Sequence, residues 1–181
     1  MFLDDLERCQ EFDPEGMFEN IDGLPDQIEA AWQHAQNMPL PKIGNVNQIV
    51  ICGMGGSAIG GALLQTLLVD ECTLPIIIQR DYQLPAFVGS DTLLIGSSYS
   101  GNTEETIEAF REAHRRDATL VSFSTGGHLA DLSSDFVGTH WEFDYRSQPR
   151  AAIGYSIMLP LALLSRLGLV RAYSPDVAEA V

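Results

Sequence analysis

The residues with the clearest chemical potential form one short stretch, SSYSGNTEET, at positions 97–106. An apolar run at 92–96 precedes it, and a helix-forming segment from about 104 to 116 follows it. The order therefore predicts a buried strand, a hydroxyl-rich turn and a helix. A helix N-terminus presents unpaired backbone N–H groups and the positive end of the helix dipole. The turn is therefore predicted to bind an anion.

The side chains of this turn favour phosphate as the anion. Ser98, Ser100 and Thr103 supply hydroxyl donors, and Gly101 leaves the backbone open to close approach. The alternative is an ordinary helix cap, in which one hydroxyl caps the helix and a following glutamate completes a capping box. Because a cap needs one hydroxyl and this turn has five before the helix is under way, the residues favour a phosphate site.

Composition limits the partners of the chain. Its 181 residues suffice for one domain with a full core, and 45% of them are hydrophobic. The net charge is −15, and Lys42 is the one lysine. This balance argues against nucleic acid and against an anionic membrane as partners. An anion site in so acidic a protein must depend on local dipoles and hydroxyl groups.

The cysteines and the apolar segments indicate a cytoplasmic protein. Cys9, Cys52 and Cys72 are odd in number and lack CxxC spacing, so we expect reduced thiols, with Cys52 as a core residue rather than a nucleophile. The first residues lack the basic and apolar parts of a signal peptide. The longest apolar stretch, 151–164, contains Pro160 and is too short to span a bilayer.

Strand and helix patterns alternate along the chain. A helix is predicted at about 25–38, to pack on a sheet edge or against a partner subunit. The predicted strands are 48–52, 74–79, 92–97, 118–124 and 140–143. Their alternation with helices predicts a parallel sheet covered on both faces, with ligands at the carboxyl ends of the strands. The Gly- and hydroxyl-rich loops at 53–57, 97–103 and 124–127 would then share one edge.

The first of these loops also permits a nucleotide interpretation. Residues 53–58 satisfy a loose G-x-G-x-x-A dinucleotide pattern. The acid that would support it at the end of the next strand is replaced by Gln79. A nicotinamide site would also leave the hydroxyl-rich turn without a role. We therefore expect no nicotinamide cofactor to bind here.

Three motifs carry a family resemblance. SYSGNTEET at 98–106 resembles the phosphosugar loop of sugar isomerase (SIS) domains. GMGGSAIGG at 53–61 and QPRAAIGYS at 148–156 resemble signatures of the bifunctional phosphoglucose/phosphomannose isomerases. The resemblance implies a three-layer α/β/α SIS domain with a five-stranded parallel sheet, of the flavodoxin-like or Rossmann-like kind. It also implies an aldose–ketose isomerase that converts glucose 6-phosphate or mannose 6-phosphate to fructose 6-phosphate through a cis-enediolate, with no metal or organic cofactor.

The resemblance assigns roles to individual positions. The phosphate would bind Ser98, Ser100 and Thr103, and the sugar would lie against Gly55, Gly56 and Ser57. Arg150 would be the catalytic cation, because a fixed guanidinium stabilises the charge that develops on the enediolate oxygen. The alternative for Arg150 is a surface ion pair, which is common in an acidic chain. The QPRAAIGYS context favours the catalytic role.

The same resemblance predicts what the chain lacks. It implies an N-terminal helical segment at 1–47, an SIS domain at 48–168 and, at 169–181, a helix leading to a second SIS domain. The general-base glutamate, a histidine from the neighbouring subunit and a lysine would belong to that second half. His128 stands in the third loop, where a lysine is more usual. This chain alone is therefore expected to be inactive.

Two further expectations concern partners. A non-catalytic module that senses or carries a phosphosugar is the alternative to an isomerase. A homodimer is expected, because Ile153, Ile157, Leu161 and Leu164 form an apolar stripe on a predicted helix.

Overall fold

The computed structural model describes residues 11–181, so Cys9 and the first ten positions of the predicted N-terminal segment lie outside the described residues. Five strands form a single parallel sheet in the order β2-β1-β3-β4-β5. They are β1 (Gln48–Cys52), β2 (Ile76–Gln79), β3 (Thr92–Ser97), β4 (Thr119–Ser124) and β5 (Thr139–Glu142). The five predicted strands are confirmed, and their ends differ from the prediction by two residues at most.

The sheet is buried on both faces, as its continuous apolar strands require. Every residue of β3 is buried, and β1 and β4 flank it. Because successive side chains point to opposite faces, Ile49 and Ile51 belong to one core cluster while Val50 and Cys52 belong to another. The helices must therefore cover both sides.

Seven α-helices lie around the sheet in the described part of the chain. They are α1 (Met17–Asp22), α2 (Leu24–Gln36), α3 (Gly55–Leu67), α4 (Glu104–Arg115), α5 (His128–Asp135), α6 (Ile153–Arg166) and α7 (Ser174–Ala180), with a 3₁₀ turn at Pro149–Ala151. Helices α2, α3, α6 and α7 contribute to the core on one face, and α4 and α5 to the core on the other. This arrangement is a three-layer α/β/α architecture with flavodoxin-like strand order.

Helix α2 packs inside the chain, chiefly against α6. Ala31 and Ala35 are fully buried, and the ring nitrogen Nε2 of His34 lies 2.7 Å from the carbonyl oxygen of Glu142 at the end of β5. The N-terminal helix predicted at 25–38 is confirmed as α2. It lies beside the edge strand, which is one of the two placements expected for it.

The apolar stripe of α6 does not face outward. Leu161 and Leu164 are buried in the core, and Ile157 packs against it. Because α6 packs against both α2 and α3 on the same face of the sheet, its stripe closes the core of this chain. The stripe therefore gives no support to a partner subunit, contrary to the interpretation made from the sequence. No helix among residues 11–181 is long and apolar enough to cross a membrane.

Candidate functional site

The site lies at the carboxyl edge of the sheet, where β1 and β3 are neighbours and the chain order reverses. Such a switch point is where open α/β sheets bind ligands. The loop after β1 begins at Gly53, where an added Cβ would lie 2.9 Å from the carbonyl oxygen of Ser97. Because β1, β3 and β4 are also parallel neighbours in the sheet, their three loops lie on one edge, as predicted.

The turn after β3 is closed by a hydrogen bond between two of the predicted phosphate ligands. The Ser98 and Thr103 hydroxyl oxygens lie 2.8 Å apart, and Ser98 is 2% exposed. Thr103 is the residue before α4, and among the described residues its side chain caps no backbone N–H of that helix. The ordinary cap considered for this turn is therefore not formed. The first N–H groups of α4 keep the character of an anion site.

Ser100, the third predicted ligand, is exposed at the tip of the same turn. Its hydroxyl oxygen accepts the backbone N–H of Asn102 at 3.2 Å. Within the described residues no acceptor takes the Ser100 hydroxyl hydrogen, so that hydrogen can be donated to an incoming anion. The structure thus brings Ser98, Ser100 and Thr103 together in one turn.

Gly101 packs the turn against the third loop. Its φ is +68°, and an added Cβ would lie 1.8 Å from the carbonyl oxygen of Gly126. Only glycine fits a position that combines a left-handed backbone with so close an approach. Beside it, the Asn102 side-chain oxygen accepts the His128 backbone N–H at 3.1 Å. The two loops are therefore fixed to each other.

The predicted sugar-binding residues begin α3. Gly55 has φ +50°, and its Cβ position is open among the described residues. At Gly56 an added Cβ would lie 2.9 Å from the carbonyl oxygen of Pro149. Ser57 is buried and lines a small cleft together with Ser98 and Tyr155. The structure thus joins the first and second motifs at one cleft.

The third motif reaches this place by a long path. The Arg150 segment, residues 145–154, follows β5 at the far edge of the sheet and returns to Gly56. Tyr99 holds its first part, because the Tyr99 hydroxyl lies 2.7 Å from the Tyr145 carbonyl oxygen and accepts the Ser147 N–H at 3.0 Å. The turn that carries the predicted phosphate ligands therefore also holds the segment that carries Arg150.

Arg150 itself presents its side chain to solvent. The side chain is 69% exposed, and its Nη2 lies 3.8 Å from a carboxylate oxygen of Glu15. The backbone of Arg150 lies against Gly56, while no contact joins its guanidinium to Ser98, Ser100 or Thr103 among the described residues. The ion pair with Glu15 is long and exposed, so it holds the guanidinium weakly.

Three further titratable groups in this part of the chain are His128, Tyr155 and Cys52. The Nε2 atom of His128 accepts a hydrogen bond from Arg111 Nη2 at 2.7 Å. Burial raises the pKa of Tyr155, with smaller contributions from Tyr145 and Asp144, so the Tyr155 phenol stays neutral and can donate a hydrogen bond. Burial also raises the pKa of Cys52 to about 12, as expected of a core thiol rather than a nucleophile.

Two contributors were not predicted from the sequence. Gln27, on α2, is 3% exposed and bonds to the Arg150 segment, although this helix was predicted only to pack on a sheet edge or against a partner subunit. The Tyr99 hydroxyl was not distinguished from the serines around it. A signal for Gln27 did exist, since it is the polar residue on the buried α2 face of Ala31 and Ala35, at helical spacing.

Within residues 11–181 no group of His, Cys, Asp and Glu is placed to hold a metal ion.

Solved structures of sugar-phosphate proteins share this fold. The phosphoheptose isomerase of Neisseria gonorrhoeae matches 88% of this chain and 98% of its own chain, with a TM-score of 0.59 and 19% identity. The Vibrio vulnificus NanR protein complexed with ManNAc-6P matches 89% of this chain and 65% of its own, with a TM-score of 0.58 and 23% identity. These likenesses show the fold, and the predicted SIS architecture is confirmed.

Sequence comparison finds homologues of the chain. No protein-family model matches the chain. The bifunctional phosphoglucose/phosphomannose isomerase of Caldicellulosiruptor bescii is 42% identical over 166 residues, which is 91% of this chain and 49% of the relative. The enzyme of the same name from Aquifex aeolicus is 33% identical over 83% of this chain and 45% of the relative. The chain is a homologue of the bifunctional phosphoglucose/phosphomannose isomerases and spans about half the length of these curated relatives.

Proposed function

We propose that this chain is the phosphosugar-binding, N-terminal SIS domain of an aldose–ketose isomerase. The intact enzyme would convert glucose 6-phosphate or mannose 6-phosphate to fructose 6-phosphate by proton transfer between C1 and C2. The observation that carries the proposal is the contact of the Arg150 backbone with Gly56 at the switch point. It joins the sugar loop to the only motif with a cation suited to this reaction, in a chain 42% identical to an isomerase of this name.

Each group has a chemical task in this proposal. Ser98, Ser100 and Thr103, with the first N–H groups of α4, bind the phosphate through hydrogen bonds and the helix dipole. Ser57 contacts the sugar at the cleft. Gly55 and Gly56 have no side chains, so the sugar ring can approach the backbone at the start of α3. Charge develops on oxygen as the C2 proton leaves, and the Arg150 guanidinium stabilises that charge in the cis-enediolate.

The general base lies outside these loops in our proposal. Glu104 and Glu105 begin α4 and would stand beside the phosphate, where like charge disfavours a close approach to C2. The His128 Nε2 atom is already an acceptor for Arg111. General acid–base catalysis contributes about 10²–10⁴-fold, so turnover needs a base from elsewhere. We place it in the part of the relatives' length that this chain does not span.

Two properties complete the proposal. We place the enzyme in the cytoplasm, where sugar phosphates are made and used and where the thiols of Cys52 and Cys72 would stay reduced. We also propose a homodimer. Its support is now an exposed stripe on α3, formed by Ile59, Leu63 and Leu67 at four-residue spacing, each about half exposed.

The test compares binding with turnover. Calorimetry on residues 1–181 should show binding of fructose 6-phosphate and much weaker binding of fructose. Glucose 6-phosphate turnover should be absent in residues 1–181 and present in a chain that continues over the full length of the relatives.

Three results would change the proposal. Equal binding of fructose and its phosphate would contradict the phosphate site. Full turnover by residues 1–181 would place the base within them. Binding without turnover in the full-length chain would favour the non-catalytic module that senses or carries a phosphosugar, a function consistent with the shared fold of the NanR protein complexed with ManNAc-6P.

A further inference from the structure

One buried amide bridges α2 and the Arg150 segment. The Gln27 Nε2 group donates to the Ala151 carbonyl oxygen at 3.0 Å, and the Gln27 Oε1 atom accepts the Gly154 N–H at 2.6 Å. These partners lie 124 and 127 positions away along the chain. A single side chain therefore fastens both the residue after Arg150 and the first turn of α6.

Within the described part of the chain, the surroundings of Gln27 offer no other group that could replace its two hydrogen bonds. Gln27 is 3% exposed, so water has little access to replace either hydrogen bond. An added Cβ at Gly154 would lie 2.7 Å from the Gln27 Oε1 atom, so a larger residue there would displace the amide. Removing the amide would leave a buried N–H and a buried carbonyl group unpaired, which is the expensive way to lose a hydrogen bond.

The Arg150 side chain depends on its backbone for its position. The guanidinium is 69% exposed, and its single ion-pair partner among the described residues, Glu15, is 66% exposed. This exposed ion pair cannot hold a long flexible side chain in one place. The 3₁₀ turn at Pro149–Ala151 is held on one side by its approach to Gly56 and on the other by Gln27.

We propose that Gln27 is a positioning residue for Arg150. This proposal rests on the function proposed above, in which Arg150 contacts the sugar. By pairing with Ala151 and Gly154, Gln27 sets the angle at which residue 150 leaves the turn, and so places the guanidinium over the sugar oxygens. The N-terminal helix then contributes to the reaction through Arg150 without touching the substrate.

The first experiment is a double-mutant cycle in residues 1–181, with fructose 6-phosphate and inorganic phosphate as probes. Arg150→Ala and Gln27→Met should each weaken fructose 6-phosphate binding about ten-fold, the effect of losing one charge-assisted hydrogen bond. Inorganic phosphate should bind both variants as it binds the wild type. The double variant should bind no more weakly than Arg150→Ala, since the amide acts through the arginine. Gln33→Met is the matched control, because Gln33 is an exposed glutamine of the same helix.

A ligand-free measurement separates this proposal from the proposed function. Backbone order parameters from NMR relaxation should fall at residues 150–152 in Gln27→Met and stay unchanged in β1 and β3. Gln27→Glu keeps the acceptor for Gly154, and because burial favours the neutral acid it can offer an O–H donor to Ala151, so it should show a smaller fall. Should Gln27→Met fail to fold, Gln27→Glu alone carries the test.

The outcomes are distinct. Additive losses in the double variant, or equal losses for phosphate and fructose 6-phosphate, would make Gln27 a merely structural residue and overturn the proposal. Unchanged order parameters at 150–152 would also overturn it. If the wild type binds no fructose 6-phosphate while Gln27→Met loosens 150–152, the proposed function fails and the anchoring by Gln27 stands.

Discussion

The two halves of the candidate site are held in different ways. In the turn after β3, Ser98 bonds to Thr103 five positions away, and Asn102 bonds to the next loop 26 positions away. In the Arg150 segment, the fastening bonds come from Tyr99, 46 to 48 positions away, and from Gln27, 124 or more positions away. The turn is fixed by the sheet that carries it, and the segment by a few side chains from other elements.

This difference determines which substitutions should displace each half of the site. The turn after β3 lies between buried β3 and α4, so its position changes only if the core changes. The Arg150 segment has no strand or long helix until α6 begins at Ile153. A single substitution in an anchor should therefore move Arg150 while the turn stays in place.

The largest effect is expected for Gly101→Ala, which would break the turn itself. The added methyl group would meet the Gly126 carbonyl at a residue with φ +68°. A left-handed backbone and overpacking together should lower the free energy of unfolding by about 2–5 kcal/mol. Urea denaturation measures this. Gly44→Ala is the control, because it is exposed with open space around its Cβ among the described residues, and should change stability by less than about 0.5 kcal/mol. Equal stability of the two variants would contradict the close packing of the loops.

The second effect separates ligand binding from stability within the same turn. Ser100→Ala removes an exposed hydroxyl, so the free energy of unfolding should hardly change. A hydrogen bond to a charged group contributes about 1.5–3 kcal/mol, so fructose 6-phosphate should bind about ten- to a hundred-fold more weakly. Calorimetry on Ser100→Ala and on Ser134→Ala, at an exposed serine of α5, compares them. Unchanged affinity in Ser100→Ala would remove Ser100 from the phosphate site.

What the sequence could predict follows the same division. The turn at 98–103 was predictable because its hydroxyls, its glycine and the flanking strand and helix are contiguous in the chain. The parallel sheet followed from the alternation of apolar runs with helices, which places the carboxyl ends of parallel strands at one edge, whereas the strand order was not predicted. At the turn, the residues that are close in sequence are also the ones that form the structure.

The Arg150 segment could be matched as a motif, but its path could not be predicted. Nothing near this segment in sequence shows that it returns from β5 to Gly56, because Tyr99 and Gln27, which bond to residues 145–154, lie far away in the chain. The stripe of α6 was misinterpreted for a related reason. An apolar helix face is the same in sequence whether it meets a partner or the α2 and α3 helices of its own chain.

Tyr99→Phe tests the link between the two halves and should have a smaller effect. It removes the hydroxyl that bonds to Tyr145 and Ser147 and keeps the ring near Phe143. The free energy of unfolding should fall by about 1–2 kcal/mol, the usual loss when a hydrogen bond is removed and a partner stays unpaired. Denaturation gives the stability, and the exposed Tyr82→Phe is the control, since its hydroxyl makes one long contact of 3.4 Å with Glu104. If both variants lose the same stability, Tyr99 does not anchor the segment.

The smallest effect is expected from pH, at a group that touches neither half of the site. His140 on β5 ends a chain of hydrogen bonds in which Ser133 donates to the Leu129 carbonyl oxygen. Three bonds need three hydrogens, so Ser122 donates to Ser133 and the His140 Nδ1–H group donates to Ser122. The His140 Nε2 atom is then the unprotonated nitrogen. It is buried, with no partner among the described residues.

Burial lowers the pKa of His140 from its ordinary value of 6.5, against smaller opposing effects from Glu142 and Ser122. Because the unfolded chain takes up this proton more readily than the folded chain, the contribution of His140 to stability is complete above about pH 6.5 and declines as the pH falls toward the lowered pKa. His140→Asn keeps a donor toward Ser122 and removes the titration. Urea denaturation at pH 7.5 and 5.5 should therefore show a smaller loss of stability in His140→Asn than in the wild type. The stability losses caused by Gly101→Ala and Tyr99→Phe should keep the same order at both pH values, because His140 contacts neither the turn nor the Arg150 segment. An equal loss of stability in both proteins would mean that folding does not lower the pKa of His140.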